Sequence, residues 1–68
     1  SLAYEDAATW YERASSLPEL GRTERARLRL RSAANHVRAG DFARARGMYE
    51  NISATDDALV RLEAAIGY

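Results

Sequence analysis

The chain has 68 residues, a formal net charge of zero and no cysteine, which limits it to one small domain and excludes disulfides and thiolate metal sites. No apolar run approaches the length of a membrane span and no signal peptide is visible, so we expect a cytoplasmic domain with no membrane partner. Alanine supplies much of the 47% hydrophobic fraction, which predicts a thin core. We therefore expect the chain either to self-associate or to belong to a larger protein.

Charge is distributed unevenly along the chain. Residues 1–21 and residues 47–68 each carry a net charge of −3, whereas residues 22–46 carry eight arginines against two acids, a net charge of +6. All the basic residues are arginine, a bias that a GC-rich coding sequence produces as readily as a functional demand. The middle of the chain is therefore the candidate for an electrostatic contact surface.

The first predicted element is a helix over residues 2–16. Small and apolar residues recur along it at helical spacing and form one stripe, made of Tyr4, Ala7, Ala8, Tyr11 and Ala14. Trp10 lies beside this stripe. Pro18 ends the helix because proline disfavours helical geometry at the residue before it.

The second predicted helix covers residues 23–39, with Thr23 as its candidate N-cap. One face of this helix is formed by Ala26, Leu30, Ala33, Ala34 and Val37. Arginine and leucine alternate over residues 27–31, which is also a strand pattern. The alanine- and arginine-rich surroundings and the lack of β-branched residues favour a helix.

Gly40 and Asp41 predict a sharp turn into a third helix over residues 42–53, because Gly40 can adopt a positive φ and Asp41 can cap the next helix. So short a connection makes neighbouring helices antiparallel. The third helix carries one apolar face, formed by Phe42, Ala45, Tyr49 and Ile52.

A fourth helix is predicted over residues 56–67. We expect it to bury an apolar face made of Leu59, Leu62, Ala65 and Ile66. The spacing of the aromatic residues in the first and third helices places most of them in the core, the set being Tyr4, Trp10, Tyr11, Phe42 and Tyr49. Trp10 lies off the main stripe, and packing on a neighbouring repeat is the alternative for it. The fold class predicted for residues 1–68 is therefore all-α, with about four helices in a single domain and no strand.

The first and third helices match when the chain is shifted by 38 residues, since an aromatic residue, an alanine and a tyrosine recur in the same order. The matched pairs are Tyr4 with Phe42, Ala7 with Ala45, Tyr11 with Tyr49 and Glu12 with Glu50. On these residues and the Gly40–Phe42 turn, residues 3–54 resemble the tetratricopeptide repeat family. The match departs from the family in its period and in the second helix, where Arg29, Ser32 and His36 replace larger apolar or aromatic residues.

The alanine-, arginine- and glutamate-rich texture is similar to the repeat region of LuxR-type and MalT-like transcriptional regulators. The stretches that carry this likeness are residues 3–8 and 39–45. The resemblance implies antiparallel helix hairpins stacked in a short right-handed array, with a concave face for a protein partner. It carries over neither an NTPase nor a DNA-binding activity, because the chain contains neither a phosphate loop nor a DNA-binding element.

No residues form a pattern typical of catalysis. His36 is the only histidine and has no evident acidic partner in the sequence, so we interpret it as a packed or groove-lining residue. The carboxylate pairs Glu5–Asp6 and Asp56–Asp57 are adjacent, and neighbours on a helix point about 100° apart, which is poor geometry for a metal. We therefore expect no enzyme activity, no cofactor and no metal site.

The arginine-rich segment predicts a contact surface for a protein or peptide, and its positive charge favours an acidic partner. We expect this surface to be lined by Arg25, Arg29, Ser32 and His36. A solvated face compensated by Glu19 and Glu24 is the simpler interpretation. The sequence thus predicts a non-enzymatic interaction or scaffold segment of a larger regulatory protein, such as a transcriptional regulator, that meets its partner or neighbouring repeats. The alternatives are a self-associating four-helix module that forms a homodimer, or a DNA-binding helix-turn-helix, which zero net charge disfavours.

Overall fold

The computed structural model describes residues 2–52 and 54–65. Regular structure in these residues is helical throughout and confirms the all-α prediction. The four helices are α1 (Leu2–Ala14), α2 (Arg22–Ala39), α3 (Phe42–Glu50) and α4 (Ala54–Ala65). The predicted helix end at residue 67 and the expected burial of Ile66 lie outside the described residues. None of the described helices combines the length and the apolarity that crossing a membrane requires.

The central element is α2, which packs against α1, α3 and α4. The connection from α1 is held by Arg25, whose Nη2 donates to the carbonyl oxygens of Leu17 at 3.0 Å and Leu20 at 3.3 Å. A charge-assisted hydrogen bond to a carbonyl is stronger than a neutral one. The loop between α1 and α2 is therefore attached to the helix that follows it.

Four helix ends differ from the prediction. α3 ends at Glu50 rather than at residue 53, since Asn51 and Ile52 are not helical, and α4 begins at Ala54 rather than at residue 56. α1 ends at Ala14, and the hydroxyls of Ser15 and Ser16 donate to the carbonyl of Glu12 at 2.6 and 3.3 Å, an alternative to backbone bonding that favours ending a helix. The proposed N-cap Thr23 is wrong, because α2 begins at Arg22 after an extended Gly21 with no side-chain cap.

The turn between α2 and α3 confirms the prediction. Gly40 has a φ of 87° and its N–H donates to the carbonyl of Val37 at 3.0 Å, while the N–H of Asp41 donates to the carbonyl of His36 at 2.8 Å. The Asp41 carboxylate accepts from the N–H of Arg44 at 3.3 Å. A left-handed glycine followed by a capping aspartate thus ends one helix and starts the next.

The core is built from alanines rather than aromatics. The fully enclosed apolar residues are Ala8, Ala26, Ala33 and Ala45. The prediction that the aromatic residues fill the core is wrong for Tyr4, Phe42 and Tyr49, since Phe42 is 63% exposed and the two tyrosines also stand out into solvent. Trp10, which lies off the main stripe, is 65% exposed. The small residues at the centre of each contact bring helix axes close together, and bulky side chains are displaced to the edges of the contact.

The predicted seam at Ala33 and Ala45 is buried, as expected. In α1, however, the fully buried alanine is Ala8, and Ala7 is only half-buried. The predicted repeat matches Ala7 of α1 with Ala45 of α3. In the structure the buried alanine of α1 that corresponds to Ala45 is Ala8. The α1 and α3 packing faces therefore correspond at a shift one residue shorter than the sequence match.

The fourth helix buries less of its apolar face than predicted. Leu59 and Val60 are half-buried, but Leu62 and Ala65 are exposed. Within the described residues α4 packs against α2 and not against α3. A helix that contacts a single neighbour buries only a narrow stripe of its own surface, and Leu62 lies outside that stripe.

Candidate functional site

Three neighbouring depressions on the described surface form a cleft and a groove, because the two depressions that share Glu12 and Ser16 are taken together as one groove. The first, the arginine cleft, has a volume of about 290 Å³ and is lined by Leu20, Arg22, Arg25, Ala26, Arg29, Asn51, Ile52 and Asp56. The second, the polar groove, runs between α1 and α3 and is lined by Thr9, Glu12, Arg13, Ser15, Ser16, Arg29, Arg44, Met48 and Asn51. Arg29 and Asn51 border both the cleft and the groove, so the two adjoin at these residues.

Arg29 occupies the junction of the cleft and the groove. Its side chain is half-buried, and it makes no hydrogen bond or ion pair with another residue in the described part of the chain. A guanidinium presents five donors in a planar fork that matches a carboxylate. The geometry therefore leaves a partly desolvated cation with its hydrogen-bonding capacity unused.

The other two arginines of the cleft are engaged. Arg22 donates to the carboxylate of Asp56 in an ion pair, and Arg25 donates to the loop carbonyls described above. Among the residues that the structure describes, Asp56 is the only carboxylate that lines the cleft. The arginine cleft therefore carries excess positive charge, which makes it a candidate site for an anion or an acidic side chain.

Ser32 and His36 lie beneath the surface. Ser32 is fully buried; its hydroxyl donates to the carbonyl of Ala8 at 2.7 Å and contacts the sulfur of Met48 at 3.5 Å. His36 is 5% exposed. Both side chains are buried, and the Ser32 hydroxyl ties α2 to its neighbours, so we restrict the proposed partner surface to the arginines.

The imidazole of His36 lies close to a carboxylate without bonding to it. Its Nε2 is buried and has no hydrogen-bond partner, and it stands 3.6 Å from Oε1 of Glu12, beyond hydrogen-bond distance. No set of three metal-ligating side chains converges among the residues that the structure describes. The arrangement is suited to binding a polar group.

Sequence reasoning missed the walls of the groove. Glu12, Met48 and Asn51 line it, but none stands out in the sequence, because each belongs to a helix face or helix end of ordinary polarity. Their importance arises from the gap between α1 and α3, which a pattern within one helix does not predict. The predicted partner-binding residues did include Arg25 and Arg29, which both line the arginine cleft.

Comparison with known protein families, curated proteins and solved structures finds no match to this chain. The tetratricopeptide resemblance and the likeness to regulator repeats therefore stay predictions. The candidate site is argued from its own geometry alone.

Replacing Ser32 with alanine is expected to lower the free energy of unfolding by about 1 kcal/mol, since a buried hydrogen bond between α2 and α1 is lost. The measurement is urea denaturation followed by circular dichroism. Ser16→Ala is the matched control, because Ser16 is exposed and its hydroxyl donates within its own helix end. Equal effects of the two substitutions would contradict the structural role of Ser32.

Proposed function

We propose that the chain is a non-enzymatic protein-interaction segment of a larger regulatory protein, and that it holds an acidic partner in the polar groove and the adjoining arginine cleft. The observation that carries the proposal is the half-buried, unpaired guanidinium of Arg29 where the cleft and the groove meet. A partner carboxylate placed there gains a bidentate, charge-assisted contact.

The likeness in texture to the repeats of LuxR-type and MalT-like regulators supports a transcriptional regulator as the parent protein. In that setting the segment relays a binding event between modules and performs no bond chemistry. The four buried alanines support this role, because close-packed helices give a stiff platform on which a groove keeps its shape.

A protein partner is favoured over nucleic acid by the charges around Arg29. Glu12 lies in the polar groove and Asp56 in the arginine cleft, and both would repel neighbouring phosphates of a polyanion. A single carboxylate can be accommodated between them, whereas a phosphate backbone requires a continuous basic surface.

The test is selection of random dodecapeptides displayed against the immobilised chain. We expect the enriched peptides to contain aspartate or glutamate and to bind the Arg29→Gln variant roughly tenfold more weakly, as expected for loss of a charge-assisted hydrogen bond. Arg38→Gln is the matched control, because Arg38 is an exposed arginine of the same helix that lines neither the cleft nor the groove. Affinities are measured by calorimetry at a fixed salt concentration.

Nuclear magnetic resonance locates the contact. Binding is expected to shift the amide signals of Ser16, Met48 and Asn51, which border the groove. The proposal fails if the selected peptides bind both arginine variants equally, or if a DNA duplex displaces them at moderate salt.

A further inference from the structure

Trp10 stands on the side of α1 that faces away from the polar groove. Residues two apart on a helix point about 200° apart, so Trp10 and the groove residue Glu12 lie on nearly opposite sides. The indole is 65% exposed, yet its orientation is set by Tyr11, which it meets edge to face with ring centroids 5.6 Å apart and an interplanar angle of 81°.

Tyr11 is in turn supported by α2. The guanidinium carbon of Arg31 lies 6.0 Å from the centroid of the Tyr11 ring, within the range of a cation–π contact. Tryptophan, tyrosine and arginine are the residues most enriched at the energetic centres of protein interfaces. An exposed tryptophan that is already oriented loses little conformational entropy when it docks.

The residues that share the face of α1 with Trp10 form a symmetric pattern. They are Ala3, Ala7 and Ala14, of which Ala3 is exposed and the other two are half-buried. These positions are arranged symmetrically about the midpoint between residues 8 and 9. If two α1 helices pair antiparallel about a two-fold axis at that point, each Trp10 lies over Ala7 of the other copy, and each Ala3 opposes Ala14.

The charged edge of the same face is symmetric in the same way. Asp6 and Arg13 are both exposed, and they stand about two helical turns apart along α1. In the antiparallel pair, Asp6 of each copy lies within one turn of Arg13 of the other, so two ion pairs form across the axis. On the opposite edge, Tyr4 of each copy approaches Tyr11 of the other.

We propose that a second copy of this chain docks on the Trp10 face, as an antiparallel α1–α1 pair about a two-fold axis. A two-fold interface requires a surface that is complementary to itself. This face is complementary to itself in two ways. Each Trp10 indole packs on Ala7 of the other copy, and each Asp6 carboxylate pairs with Arg13 of the other copy. The proposal is independent of the groove, apart from Arg13, which also borders the groove.

The first test is sedimentation equilibrium of the chain from micromolar to submillimolar concentration. We expect a reversible dimer, and Trp10→Ala is expected to raise its dissociation constant roughly tenfold. Phe42→Ala is the matched control, since Phe42 is an equally exposed aromatic residue on α3. A monomer over the whole range overturns the proposal, as does a dimer that Phe42→Ala weakens and Trp10→Ala leaves intact.

Charge reversal tests the geometry. Asp6→Arg alone and Arg13→Asp alone are each expected to weaken the dimer roughly tenfold, because each replaces two attractions with two repulsions. The double variant restores the pairs and is expected to return to within threefold of the parent chain. Circular dichroism checks that each variant folds. Failure of the double variant to recover overturns the antiparallel arrangement.

A disulfide test distinguishes antiparallel from parallel pairing. Because the chain has no native cysteine, the introduced cysteines are the only ones that can form a disulfide. Ala3→Cys and Ala14→Cys chains are mixed and oxidised under mild conditions. We expect the mixed disulfide to form faster than either homodimeric disulfide. Preferential formation of the two homodimeric disulfides indicates parallel helices and overturns the proposal. Peptide binding at Arg29 is unaffected by either result, so failure of this dimer and failure of the groove are distinguishable.

Discussion

Replacing Ala45 with leucine is expected to lower the free energy of unfolding by about 3 kcal/mol. Ala45 is 2% exposed and faces α2 from the centre of α3. Its methyl group fills the space available, so a larger side chain must push the two helices apart or adopt a strained rotamer. The measurement is chemical denaturation followed by circular dichroism.

Ala43→Leu is the matched control, because Ala43 is an exposed alanine of the same helix. Alanine and leucine have similar helix propensity, so the control isolates the effect of packing. We expect it to change stability by less than about 0.5 kcal/mol. If both variants lose the same amount, α3 does not pack through Ala45 and the alanine core is contradicted.

Replacing Gly40 with valine is expected to cost about 2 kcal/mol, for a reason unrelated to packing. Gly40 has a φ of 87°, and a Cβ placed there meets no atom within 4 Å. The cost is therefore confined to the backbone, since a β-branched residue is strongly disfavoured at positive φ. Calorimetric or denaturant unfolding measures the loss directly.

Gly47 provides the opposite case within the same chain. It lies inside α3, has no positive φ, and a Cβ placed there also meets no atom within 4 Å. Gly47→Ala is expected to raise stability by about 0.5–1 kcal/mol, because alanine restricts the unfolded chain and favours the helix. A stabilising Gly40→Val or a destabilising Gly47→Ala would contradict the assigned turn and helix.

The two proposed surfaces occupy different sides of α1. Glu12 and Ser16 face the polar groove, while Trp10 points away from it. A dimer through α1 therefore leaves Arg29 of both copies accessible. Binding to two such grooves in one assembly would raise the effective affinity for a partner with two acidic segments.

The positions of the helices followed from the sequence. Apolar spacing placed α1, α2, α3 and α4 to within a few residues, and Gly40 with Asp41 predicted the turn that the structure contains. These features are local: a period of 3.6 residues, a glycine at positive φ and a capping carboxylate depend on residues close together in the chain. The exclusion of disulfides likewise required only composition.

The tertiary structure alone decided which residues are interior. The apolar spacing of α1 is equally compatible with burial of Tyr11 and of Ala8. In the structure the close approach of α1 to α2 encloses Ala8 fully and Tyr11 only in part, and the neighbouring Trp10 is exposed. Burial depends on the distance between helix axes, which is set by contacts between residues remote in sequence. The same distance encloses His36 and leaves Arg29 at the groove, so the candidate site is a property of helix packing rather than of any one helix.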